Sequence, residues 1–150
     1  MATQTHTPKK SVKYLSEEET ILFFSVVKKN PRDHLLFKWM YLYGLRVSEA
    51  ISLRLADILP DLRYPKEIFV KRLKGGISRH FPIRSEETIH LKRWLRKRAQ
   101  MKNADGNPWL FISSHSVLHH MSAMNVEKMM VKYEELAGLE REEPSSQPAP

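Results

Sequence analysis

No cysteine occurs among the 150 residues. That excludes disulfides and cysteine-ligated zinc, and it is compatible with a reducing compartment. No apolar run approaches the ~20 residues that a membrane-spanning helix needs. The polar opening, Met1 to Lys13, lacks the hydrophobic centre of a signal peptide, so a cytoplasmic protein is expected. No internal repeat is visible. One further thing is missing locally: between Lys71 and Arg84 there is no acid, while five positions are Lys or Arg (71, 72, 74, 79 and 84).

The formal charge of +8 is therefore unevenly spread. Arg93, Arg96, Lys97 and Arg98 add a second basic run, and acids collect at Glu17–Glu19 and between Glu134 and Glu143. Segregated basic charge is the electrostatic footprint of a nucleic-acid partner; a solvated cationic surface is the competing reading. Apolar residues make up 41% of the chain, enough to fold one domain of ordinary size.

Local signals order the elements. Ser16 with Glu19 forms a capping box, so a helix starts there and carries Ile21, Leu22, Phe23, Phe24, Val26 and Val27 to a stop at Asn30-Pro31. A second helix, Asp33 to Tyr43, is apolar on nearly every face and belongs at the centre of the core, with Gly44 as its left-handed stop. A short third helix is expected from Val47 to Leu55. Glu67–Lys71 and Arg79–Ile83 read as strands joined by a hairpin through Lys74-Gly75-Gly76. Ser85 caps a long basic helix to Met101, Trp109–Ile112 is extended, and Ser122–Ala137 is the last helix, ended by Gly138. The expected fold class is α+β, mostly helical, with helices around a small two- to three-stranded antiparallel sheet. Residues 1–13 read as a flexible leader and 140–150 as a disordered tail.

Two cations draw the eye as chemistry. Arg46 lies between the glycine that stops one helix and the start of the next, so its guanidinium has little freedom; pairing with Glu49, three residues on, is the structural alternative. Lys74 sits on the turn of a basic hairpin, where solvation is the ordinary fate of a lysine.

Together these residues form a recognisable pattern. Gly44-Leu45-Arg46-Val47-Ser48-Glu49-Ala50, Leu53, Leu55, Asp57-Ile58, Arg72-Leu73-Lys74-Gly75-Gly76, Arg79 and Pro82-Ile83 resemble the first half of the catalytic domain of tyrosine recombinases. That family includes phage integrases, chromosome-dimer-resolving recombinases and fimbrial phase-switch invertases. The resemblance covers about residues 14–139. It implies attack of a tyrosine on a DNA phosphodiester, leaving a 3′-phosphotyrosine, with double-stranded DNA as partner and assembly as tetramers on it. Arg46 matches the arginine that holds non-bridging phosphate oxygens, Lys74 the lysine that protonates the departing 5′-oxygen, and Glu49 the acid that braces the arginine. Lys71, Arg72 and Arg79 are expected to contact DNA. No cofactor, metal or nucleotide is implied.

The rest of the family's set, a His-x-x-Arg block and the tyrosine, normally follows the segment ending at Leu139. His90–Arg93 has that spacing but precedes the expected block, and chance accounts for it. Tyr14, Tyr41, Tyr43, Tyr64 and Tyr133 do not match the nucleophile. The expectation is thus a partial catalytic domain that binds DNA weakly and does not cut it. The alternative is a non-catalytic DNA-binding or regulatory module, or a helical interaction protein whose charge serves solubility. His115, His119 and His120 have helical metal-ligand spacing but no acidic or cysteine third ligand, so no metal site is expected.

Overall fold

A computed structural model describes residues 15–72, 76–113 and 119–139. The expected leader and tail lie outside those residues, as do Lys74 and His115.

The first helix, α1 (Glu17–Val27), begins as its capping box requires. The Glu19 N–H donates to Ser16 Oγ at 3.1 Å, and the Ser16 N–H donates to Glu19 Oε1 at 2.9 Å. Phe23 and Val27 turn inward, whereas Ile21 and Leu22 remain exposed. Asn30-Pro31 opens the next helix as well as closing this one, which corrects the expected start at Asp33. In α2 (Pro31–Tyr43), Asn30 is the N-cap, accepting from the Asp33 N–H at 3.1 Å, and Pro31 takes the first helical position. A proline costs nothing there, because a first-turn N–H has no partner within the helix.

Helix α2 buries Leu35, Leu36, Phe37, Trp39 and Met40, together with Asp33 and His34; Tyr41 faces outward. It stops at Gly44 (φ 65°), and the Leu45 N–H then donates to the Met40 carbonyl at 3.1 Å. The third helix, α3 (Val47–Ile51), is shorter than expected. Its continuation finds better partners across the fold. The Leu55 N–H donates to the Pro108 carbonyl (2.8 Å), and the Leu110 N–H donates to the Leu53 carbonyl (2.9 Å). Buried backbone groups must be satisfied somewhere, and here the 108–110 segment supplies the partners that a longer helix would have supplied internally. A single 3-10 turn, Leu55–Asp57, follows.

The sheet has three antiparallel strands in the order β1 (Ile58–Leu59), β2 (Glu67–Val70), β3 (Arg79–Pro82). Ile58 pairs with Ile68 and Val70 with Arg79. Along β2 the period-2 alternation sends Ile68 and Val70 into the core. Helix α4 (Ser85–Ala99) packs on α2 and buries Leu91 and Trp94. Arg84 rather than Ser85 is its N-cap residue, and no side chain caps it there. The start needs no serine, because Glu86 and Glu87 place negative charge in the first turn and Arg96, Lys97 and Arg98 place positive charge in the last.

Arg98 is buried and anchors the next crossing: its Nε and Nη2 donate to the Trp109 carbonyl, and Nη2 also to that of Asn107. Helix α5 (Ala123–Leu136), capped by Ser122 Oγ, closes against α1, with the rings of Phe23, Phe37 and Tyr133 meeting edge to face. The fold is mostly helical α+β with a three-stranded antiparallel sheet. Among the described residues no helix is long and apolar enough to cross a membrane.

Candidate nucleic-acid site at the start of helix α3

Gly44 reverses the chain and the buried Leu45 pins it, so Arg46 emerges exposed at the N-cap of α3. Its backbone N–H donates to Glu49 Oε1 at 2.9 Å. The carboxylate thereby caps the helix that carries it, with its charge at the positive helix end.

Glu49 is only 3% exposed, and a carboxylate so removed from water requires a cation. Spacing nominates Arg46, but the structure supplies Arg72, whose Nη1 bridges both Glu49 oxygens at 3.0 and 2.9 Å. The two residues are 23 apart in sequence, so this ion pair ties the Val70–Arg79 end of the β2–β3 pair to α3. Among the described residues the Arg46 guanidinium makes no ion pair. The structure thus brings Arg46, Glu49 and Arg72 together, with Arg46 tied to Glu49 through its backbone.

Lys71 directly follows β2, and Arg79 opens β3 opposite Val70, so both stand exposed at the hairpin end of the sheet. The pairing of Arg72 with Glu49 is the feature that sequence reasoning misses. A glutamate followed by a buried alanine and isoleucine hints that it is sequestered, but among several nearby cations spacing does not select the partner.

Two described tyrosines have engaged hydroxyls. Tyr43 donates to the Pro82 carbonyl at 3.0 Å, and Tyr133 donates to Asp33 Oδ2 at 2.6 Å. Burial first, then the Asp33 carboxylate, pushes the Tyr133 phenol well above its ordinary value. An attacking phenolate needs the opposite environment. Tyr64 is exposed in a turn, and Tyr41 is partly exposed on α2.

His90 meets His34 edge to face with centroids 4.5 Å apart, which gives it a packing role between α4 and α2. Burial, followed by the neighbouring His90, lowers His34 to about 4. The described residues contain no group of three or more His, Cys, Asp or Glu able to hold a metal. His120 instead packs edge-on against Trp109.

Residues 13–148 match the profile of the phage integrase family, and the chain belongs to it. It is 32% identical over 134 residues to tyrosine recombinase XerA of Pyrococcus furiosus, covering 88% of this chain and 44% of that protein. It is 38% identical over 82 residues to the type 1 fimbriae regulatory protein FimE of Escherichia coli, covering 55% of this chain and 40% of that one. Among solved structures, the crystal structure of XerA recombinase superimposes with a TM-score of 0.71 at 25% identity, covering 91% of this chain and 47% of that one. A pre-cleavage complex of XerH with its difH substrate gives a TM-score of 0.68 at 24% identity, covering 90% of this chain and 39% of that one, and attests the shared fold. The chain spans less than half the length of each of these relatives.

Proposed function

We propose that this chain supplies the Arg46 portion of a site for site-specific DNA recombination, in which strands are cleaved and rejoined through a 3′-phosphotyrosine. The observation that carries the reading is the presentation of Arg46: exposed, fixed by a helix start, and free of an ion pair among the described residues. A guanidinium holds its proton at any working pH and matches two phosphate oxygens with parallel N–H donors. As charge grows on those oxygens toward the transition state, a cation already in place lowers the barrier without reorganising. Lys74, which lies between β2 and β3 in sequence, is the proposed donor to the departing 5′-oxygen, and Lys71 and Arg79 flank the DNA backbone. Assembly on DNA as a multimer belongs to the same reading, as it does for the family.

The chain on its own is expected to bind duplex DNA and leave it uncut, since none of its five tyrosines matches the family nucleophile and the hydroxyls of Tyr43 and Tyr133 are in addition committed to Pro82 and Asp33. The test is binding to a nicked recombination-site duplex, followed by a denaturing gel for a covalent adduct. Arg46→Met should weaken binding and reduce the salt slope by about one. An adduct would overturn the expectation of inactivity. A sequence-specific footprint that survives replacement of both Arg46 and Lys74 would favour a non-catalytic DNA-binding module.

A further inference from the structure

Glu49 stands one helical turn beyond Arg46, a spacing at which glutamate and arginine side chains ordinarily meet. Yet its two oxygens are occupied by Nη1 of Arg72, and Arg46 reaches it only through the backbone N–H. We propose that Arg72 is a positioning residue: by neutralising Glu49, it keeps the Arg46 guanidinium available for a DNA phosphate.

The carboxylate is needed where it is, because it caps α3 and so sets the backbone from which Arg46 projects. Buried and charged, it would capture the nearest guanidinium if left alone. A captured Arg46 would be part of a neutral pair with its donors committed, and would attract phosphate far less. Arg72 suits the compensating role. Its side chain is 24% exposed against 2% for that of Glu49, so the pair lies largely out of solvent, and it comes from a different element than the helix it serves. This reassigns Arg72 from contacting DNA to serving the residue that does.

The inference rests on the phosphate-binding role of Arg46 proposed above, and one set of variants separates the two. The full chain is titrated with a labelled duplex across about 50 to about 200 mM salt for wild type, Arg46→Met, Arg72→Met, Glu49→Gln and the Arg72→Met/Glu49→Gln double variant. The Glu49→Gln substitution keeps a side-chain oxygen to accept from the Arg46 N–H, so the helix cap survives. Arg72→Met should weaken binding about tenfold, and adding Glu49→Gln should restore it to within about threefold of wild type, a coupling expected of residues in direct contact. Glu49→Gln alone supplies the second single-variant leg of the double-variant cycle.

If Arg72 instead touches phosphate itself, or merely holds the fold, the second substitution restores nothing and the proposal falls. Full affinity in Arg72→Met overturns it as well. If Arg46→Met binds like wild type, the phosphate reading of Arg46 fails first. Urea unfolding of each variant checks folding; should Arg72→Met not fold, Arg72→Gln removes the same charge and must show the same rescue.

Discussion

Replacing Tyr133 by Phe isolates one hydrogen bond on which the closure of α5 over the core depends. The hydroxyl donates to Asp33 Oδ2 at 2.6 Å, and Asp33 is 2% exposed. The ring stays, so its edge contacts with Phe23 and Phe37, at 6.2 and 6.1 Å, are retained. Asp33 Oδ1 keeps Arg32 Nε at 3.0 Å, so the carboxylate is not left without a cation. The loss is therefore that of a hydrogen bond to a charged acceptor, about 2 kcal/mol, and not the roughly 3–5 kcal/mol of a broken buried ion pair. For a domain of this size that lowers the thermal midpoint by about 6 °C.

The pH dependence gives an independent check on the same bond. The Tyr133 phenol is raised in the folded state, so its contribution is complete below about 10, the ordinary value for tyrosine, and is lost as pH rises toward the folded value. The stability gap between wild type and Tyr133→Phe, measured by urea unfolding, should be constant from neutral pH to about pH 10 and shrink above it. A gap below about 0.5 kcal/mol, or one that does not narrow in alkali, would refute the reasoning.

Two further outcomes follow from the geometry. Gly44→Ala places a Cβ with nothing within 4 Å, so only the left-handed backbone (φ 65°) opposes it; a loss of about 1 kcal/mol in urea unfolding is expected, and one above about 3 would mean an unrecognised clash. His34 is held neutral by burial, so its stabilising contribution is complete above 6.5 and is lost as pH falls toward about 4. His34→Phe should therefore flatten the stability profile in that window relative to wild type, and an unchanged profile would show that His34 does not carry the acid sensitivity.

Local signals read well where a single residue type satisfies a single backbone need. Ser16 and Glu19 satisfy each other's amides, Gly44 adopts the left-handed turn, and alternation along β2 aims Ile68 and Val70 inward. Asn30-Pro31 reads as a stop because proline breaks a helix from within, yet the same chemistry starts one. Which role wins depends on whether the following residues pack, and Leu35, Leu36, Phe37 and Trp39 do. The early end of α3 is not legible in the sequence, because the partners of Leu53 and Leu55 lie more than fifty residues away at Pro108 and Leu110.

By itself, then, the sequence determined the family, the helix starts and stops, and the arginine set between two helix ends. Those are matters of near-neighbour geometry, which spacing encodes. Only the tertiary structure decided what surrounds that arginine. The partner of Glu49 is a choice among cations that are equally plausible in sequence, and it was settled by the hairpin that folds back to bring Arg72 within 3.0 Å. A buried charge takes whichever counter-charge packing delivers, and packing is a property of the whole chain.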